Sequence, residues 1–373
     1  MSFNVLIAPD KFKGTLSARA AANAMARGWR QARPADRVMP FPISDGGDGF
    51  GELVGASLGA EIETVRTVDA AHQPCAAEWW WEPKSRTAIL EAARVNGLSR
   101  LPAGRHHPFE LDTFGLGAVL TAACETGARL CLIGIGGSAT NDGGFGMARA
   151  LGWSFFDERG ATIQRWTELH SLSRVQPPQT AAWPKEILVA VDVRNPLLGP
   201  SGCCRVYGPQ KGLREEDFDL AERCLARLAE VVECQLHCKT AEEPGAGASG
   251  GLGFGLRNFL GARLAPGFGL FAGHTGLKER LSAADLVVTG EGAIDSSTFM
   301  GKGVGELAVL CRESKTPCLC LGGAVLDRAA AAQFFTRAYA LTPDLTDREN
   351  ALANAGEWLA RLAARAAGAW QDS

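Results

Sequence analysis

Carboxylates, lysines, hydroxyls and glycines recur together at four places in the chain, each just after a short apolar run. In Ala8-Pro-Asp-Lys-Phe-Lys-Gly14, Lys11 and Lys13 flank a turn and can neutralise phosphate or carboxylate oxygens as point charges. Ser44-Asp-Gly-Gly-Asp-Gly49 offers Asp45 and Asp48 to Mg2+ or to a substrate hydroxyl, because magnesium favours one or two carboxylates supplemented by substrate oxygens. Gly136-Gly-Ser-Ala-Thr-Asn-Asp-Gly-Gly144 sets Ser138, Thr140, Asn141 and Asp142 between two glycine pairs ahead of a helix, so that its backbone N–H groups, Gly143 included, form a candidate anion nest. Gly290-Glu-Gly-Ala-Ile-Asp295 continues to Gly301-Lys302 and combines a candidate metal ligand (Glu291), a candidate base (Asp295) and a phosphate-facing cation (Lys302). Asp and Gly also form ordinary turns, and Asp295 also suits a helix cap.

Two further segments join the inventory. Asp192 ends the apolar run Val189-Ala-Val191, and Gly208-Pro-Gln-Lys-Gly212 reads as a tight turn bearing Lys211. All six histidines lie outside these loops, which argues against triad hydrolysis and His-based proton transfer. Phosphoryl transfer needs the inventory that is present: carboxylates for Mg2+, cations and N–H groups for phosphates, and a carboxylate to accept a hydroxyl proton. The residues therefore point to a kinase acting on a small hydroxylated molecule. The Gly136 to Gly144 loop is neither the Walker pattern nor the three-glycine dinucleotide fingerprint.

With 38 Lys+Arg against 41 Asp+Glu, the net charge of −3 gives no basic stripe for nucleic acid. The 373 residues suggest two domains, no run is apolar enough to span a bilayer, and the N-terminus lacks a basic n-region, so a cytoplasmic protein is expected. Eleven cysteines sit mostly in apolar segments as small hydrophobes, and Cys234, His237 and Cys238 lack a fourth ligand for zinc.

The elements that must position the loops follow from period. A strand from Phe3 to Ala8, a helix capped by Ser17, a strand from Arg37 to Phe41 and a helix from Phe50 make a βαβα start. Successive strands at Glu61 to Val68, Ala77 to Trp81 and Thr87 to Glu91 indicate a mixed or antiparallel sheet, and the βα rhythm resumes at Asp285. The stretch Thr240 to Gly251 has the composition of a linker or mobile loop. The expected fold is α/β: a doubly wound parallel-sheet domain (1–66 plus 245–373) with an inserted mixed α/β domain (67–244) and an active-site cleft between them. Strand carboxyl ends would gather the loops there.

Taken in order, these loops, with Ile133-Gly-Ile-Gly-Gly-Ser-Ala-Thr-Asn-Asp-Gly-Gly144 and Gly245-Ala-Gly-Ala-Ser-Gly-Gly-Leu-Gly-Phe-Gly255, resemble the signature blocks of the glycerate kinase type-1 family over nearly the whole chain. The resemblance implies a flavodoxin-like domain and ATP-dependent, Mg2+-assisted phosphorylation of D-glycerate, at the 2-hydroxyl rather than the 3-hydroxyl, by a monomer or homodimer without nucleic-acid or membrane partners. Asp192 or Asp295 would be the base. Asp45, Asp48 and Glu291 would bind Mg2+ or glycerate hydroxyls. Lys11, Lys13, Lys211 and Lys302 would face carboxylate or phosphates, and the Ser138 to Gly144 nest and Gly290 would lie against an anion. The chain departs from the family pattern at Ser44, Asp48, Phe50, Ala293 and Ser297; Ala293 stands where an Arg is usual. A kinase of another small sugar acid, a lyase or phosphatase, and a non-catalytic sugar-acid sensor are the alternatives.

Overall fold

The computed structural model describes residues 2–180, 183–299 and 301–370, so Met300, inside the Gly290 to Lys302 loop, lies outside the described residues. The chain divides into two units, Met1–Asp45 with Phe268–Ser373, and Gly46–Gly267.

In the first unit the strand Asn4–Ile7 pairs in parallel with Arg37–Pro40 on one side and Leu286–Thr289 on the other. Leu286–Thr289 pairs in turn with Cys318–Val325, which pairs with Arg337–Thr342, again all parallel. Counted in chain order within the unit, these strands run 2-1-3-4-5, the flavodoxin-like arrangement, and the doubly wound expectation is met. The short strand Ala293–Ile294 also joins Cys318–Val325. The chain leaves Asn4–Ile7 toward one edge of the sheet and Leu286–Thr289 toward the other. The carboxyl ends of these two neighbours therefore flank the point where strand order reverses.

The sheet is buried because its strands are nearly continuous apolar runs; Val5, Leu6, Ile7, Leu286, Val287 and Val288 are all sealed from solvent. The helix Ala18–Ala32 starts where Ser17 accepts the Ala20 N–H at 3.2 Å. Its alanine-rich face lets it approach the helix Ala355–Ala369 closely: a Cβ at Gly28 would fall 1.8 Å from the Ala360 carbonyl oxygen.

The second unit carries a six-stranded mixed sheet. Arg263–Pro266, Glu186–Val191, Leu130–Gly134 and Thr87–Glu91 run parallel, and Pro74–Glu82 and Glu61–Val68 are added antiparallel. Its core includes Leu116, Ile133, Phe145, Trp166, Leu225 and Phe254. Trp79 and Trp80 are buried, as a half-buried strand requires, and the helix Phe50–Leu58 lies on Trp80 through Gly51 and Gly55.

Three expectations change. The division between units falls at 45/46 and 267/268 rather than 66/67 and 244/245. Glu61–Val68 is committed to Pro74–Glu82, and Arg263–Pro266 to Glu186–Val191. Thr240 to Gly251 is no linker: it is largely buried and enters the helix Ala248–Phe259, and its glycines allow backbone contact, a Cβ at Gly250 falling 1.9 Å from the Thr140 carbonyl oxygen. Gly208-Pro-Gln-Lys-Gly212 is no tight turn but the end of the helix Cys203–Lys211, with Gly212 as its left-handed cap. All eleven cysteines are free. No helix among the described residues is long and apolar enough to cross a membrane.

Gly28→Ala should destabilise the first unit by about 1–3 kcal/mol, since the obstacle is backbone. Its apparent Tm should then fall by roughly 2–4 °C per kcal/mol in calorimetry. An unchanged Tm would contradict the close helix contact.

Candidate active site

Hydrogen bonds beyond the strand ends bind the two switch-point loops of the first unit together. The Thr289 hydroxyl donates to the Ala8 carbonyl at 2.7 Å, and the Asp10 N–H donates to the Gly290 carbonyl at 2.9 Å. Asp10 is thereby held beside Gly290 and Glu291. Gly290 itself serves packing, for a Cβ there would lie 2.0 Å from the Leu321 carbonyl oxygen.

Asp10 is only 6% exposed; its Oδ1 accepts the Lys11 N–H at 2.6 Å, and its Oδ2 lies 3.7 Å from where a Cβ on Gly303 would stand, at the first turn of the helix Gly303–Glu313. Burial first, then the charges of Asp45 and Glu291, push its carboxyl up to about 8 against the pull of Lys11. Glu291 is raised as well, chiefly by burial, while the Thr298 hydroxyl donates to its Oε1 at 2.8 Å and Lys302 opposes the rise. Asp45 is buried and acts electrostatically on both.

Asp295 differs. The Ser297 hydroxyl and N–H both donate to its Oδ1, at 2.5 and 2.8 Å, and these bonds hold its carboxyl below the ordinary range. Lys302 Nζ donates to the same Ser297 hydroxyl at 2.7 Å. A carboxylate so stabilised is a weak base. Lys13 is exposed and Lys11 partly so. Asp10, for which the residue pattern alone specifies no role, carries one local signal, its place at the end of the first apolar strand.

In the second unit the segment Gly136 to Gly144 follows Leu130–Gly134 and is fixed by backbone bonds. Leu98 N–H donates to the Gly137 carbonyl (2.9 Å), Ala139 N–H to the Asn96 carbonyl (2.8 Å) and Gly143 N–H to the Gly250 carbonyl (3.0 Å). The expected helix N-terminus is already filled by the chain's own carboxylate. Asp142 accepts from Thr113 N–H (2.9 Å), the Thr113 hydroxyl (2.7 Å), Gly146 N–H (2.9 Å) and Gly144 N–H (3.3 Å), and the helix Phe145–Ala150 is short. Burial, followed by the charge of Asp112, pushes Asp142 up to about 6 despite these bonds. Its place is that of an anchor.

Lys211, the last residue of its helix, is 7% exposed; its ammonium donates to the Thr140 carbonyl (2.7 Å) and the Ser138 hydroxyl (3.1 Å). Burial lowers it to about 8. An ammonium has three donors, and two neutral acceptors leave one for an anion. Thr140 Oγ1 and both polar atoms of Asn141 are fully buried without a hydrogen-bond partner among the described residues. Each such atom costs about 1–3 kcal/mol unless something fills the gap.

Asp48 is exposed and lies against Gly137, where a Cβ would fall 1.9 Å from its Oδ1. It belongs to the second unit, whereas Glu291, its expected partner in metal binding, belongs to the first with Asp10 and Asp45. Asp192 is exposed at the end of Glu186–Val191. Glu91, unnoticed in the sequence, ends Thr87–Glu91 as a buried carboxylate whose Oε1 accepts the Gly49 N–H at 2.8 Å.

Comparison with known proteins decides among the readings. The glycerate kinase family profile matches residues 5–371. The chain belongs to the glycerate kinase family. It is similar to a glycerate kinase of Halalkalibacterium halodurans (34% identical over 367 residues, 97% of this chain and 96% of that one). It is likewise similar to a glycerate 2-kinase of Escherichia coli K12 (36% over 327 residues, 87% and 86%). The crystal structure of a putative glycerate kinase 2 from Salmonella typhimurium LT2 superposes with a TM-score of 0.81 at 32% identity, covering 98% of each chain. The protein is thus an ATP-dependent kinase acting on a hydroxyl group.

Two departures from the glycerate kinase pattern can now be placed. Ala293 is exposed in the strand Ala293–Ile294, so no cation projects from that position. Ser297 bridges Asp295 and Lys302.

With Asp142 pushed up to about 6, the folded kinase keeps a proton that the unfolded chain releases near 3.8. Its stabilising contribution is fully present below about pH 4 and fades as pH rises to about 6. Denaturant titrations should therefore show the wild type losing stability relative to Asp142→Asn across that window. A constant difference between them would contradict the buried anchor.

Proposed function

We propose that the enzyme transfers the γ-phosphoryl group of ATP to the 2-hydroxyl of D-glycerate, giving 2-phosphoglycerate and ADP. The observation that carries this reading is the buried pair Asp10 and Asp45 with the half-buried Glu291 at the strand-order reversal, beside Lys302, in a chain of the glycerate kinase family. The relative named glycerate 2-kinase supports the 2-position.

The donor set suits magnesium. Asp10, Asp45 and Glu291 offer oxygens only, and like charges forced together by burial are relieved by a cation. Among the described residues no group of three or more His, Cys, Asp or Glu side chains is placed to hold a metal ion by itself, so the proposed ion takes two carboxylates and completes its shell with phosphate oxygens. Glu291 and Asp45 would hold Mg2+, which when bound supplies charge neutralisation on the phosphates; Asp48, which is exposed, is left out of this set.

Asp10 replaces Asp192 and Asp295 as the proposed base. As the glycerate oxygen bonds to the γ-phosphorus and the bond to the ADP oxygen breaks, the hydroxyl proton passes to the Asp10 carboxylate. Its raised affinity for protons matches that task, whereas the Ser297 bonds make Asp295 a poor acceptor. Lys302 and Lys11 would balance phosphate charge, with the exposed Lys13 at the rim. Lys211 would take the glycerate carboxylate with its remaining donor, with Ser138 and Thr140 orienting its ammonium. The enzyme is proposed to be cytoplasmic, a monomer or homodimer, with small molecules as its partners.

ADP release should be measured with Mg-ATP and D-glycerate, L-glycerate, tartronate or hydroxypyruvate. D-glycerate should give the highest kcat/KM. Asp10→Asn should lower kcat by about 100-fold or more, with Asp295→Asn costing about tenfold or less. No D-glycerate-dependent ADP would defeat the substrate assignment. An Asp10→Asn enzyme within tenfold of wild type would defeat the base.

A further inference from the structure

Five of the ten buried side-chain polar atoms that lack a partner among the described residues belong to Asn96, Thr140 and Asn141. These three side chains are wholly sealed from solvent. Asn96 lies outside every signature loop, as the last residue of the short helix segment Ala93–Asn96, yet its carbonyl accepts the Ala139 N–H and the following residues pair with Gly137 and Ser138. The strands Thr87–Glu91 and Leu130–Gly134, which lead into the two segments, are parallel neighbours, so both lie at the same sheet edge. Thr140 is tied to the buried cation as well, since its carbonyl accepts from Lys211.

We propose that Asn96, together with Thr140 and Asn141, forms the subsite for the hydroxyl of the substrate that does not react, which is the 3-hydroxyl if the D-glycerate reading above holds. A hydroxyl both donates and accepts, and needs both kinds of partner. Each amide supplies an N–H donor and a carbonyl acceptor, and Thr140 adds a hydroxyl. None carries charge, so the set has no preference for a carboxylate or phosphate; charge is the contribution of Lys211. A site built to bond a hydroxyl discriminates strongly against an analogue that lacks it, because its own polar groups are then left unpaired.

The test compares D-glycerate with D-lactate, which keeps the 2-hydroxyl and lacks the 3-hydroxyl, in the wild type, Asn96→Leu and Asn96→Ser. The wild type should favour D-glycerate in kcat/KM by about 1000-fold, and Asn96→Leu should lower kcat/KM for D-glycerate by about 100-fold while leaving D-lactate nearly unchanged. Asn96→Ser, which returns a smaller polar group, should fall between them and guards against a folding defect in the leucine variant. A selectivity ratio unchanged in both variants, or equal loss on both substrates, would overturn the proposal and leave the amide holding trapped water only. Failure of the substrate reading looks different: the wild type itself would then give no D-glycerate-dependent ADP.

Discussion

Carboxylates repel one another, and water normally hides the repulsion; in the first unit Asp10 and Asp45 are taken out of water and set within electrostatic reach of Glu291. Such an arrangement persists only if the backbone around it is over-determined. The parallel strands Asn4–Ile7 and Leu286–Thr289 are zipped past their ends by the Thr289 hydroxyl and the Asp10 N–H. Gly290 lets the second loop press against Leu321. The unfavourable charge density is thus built onto a tightly bonded pair of strand ends, where a metal ion and phosphates would convert it into affinity.

The second unit handles charge the opposite way. Lys211 is a buried cation set on neutral oxygens, and Asp142, a buried carboxylate whose charge acts on it, is turned to the Thr113 and Gly146 donors. Glycine does two jobs here. At Gly137 and Gly143 it supplies a left-handed backbone, and at Gly250 it permits backbone contact with Thr140.

Strands and strand-end loops were legible in the sequence because a parallel strand buried on both faces is an apolar run, and the loop after it must turn. Glu291 and Lys302 were legible as charges inside a glycine-rich loop, and Lys211 as a charge between glycines, although its segment is a helix end rather than a turn. What escaped notice depended on pairing across long separations. Nothing local says that Glu61–Val68 pairs away from the first unit, or that the glycines after Thr240 serve packing rather than mobility. The hydrogen bonds that Asp142 accepts from Thr113 span 29 residues and leave no local trace. Asp10 and Asn96 were hidden for the converse reason: burial gives them their chemistry, and burial is not written in a residue type.

The central claim is that Asp45 and Glu291 form a cation site. Electron paramagnetic resonance of Mn2+ titrated into the purified protein measures this directly. The account predicts one bound ion in the wild type, with affinity weakened by about tenfold or more in Asp45→Asn and Glu291→Gln and unchanged in Lys211→Met. Equal Mn2+ affinity in the wild type and both carboxylate variants would contradict it.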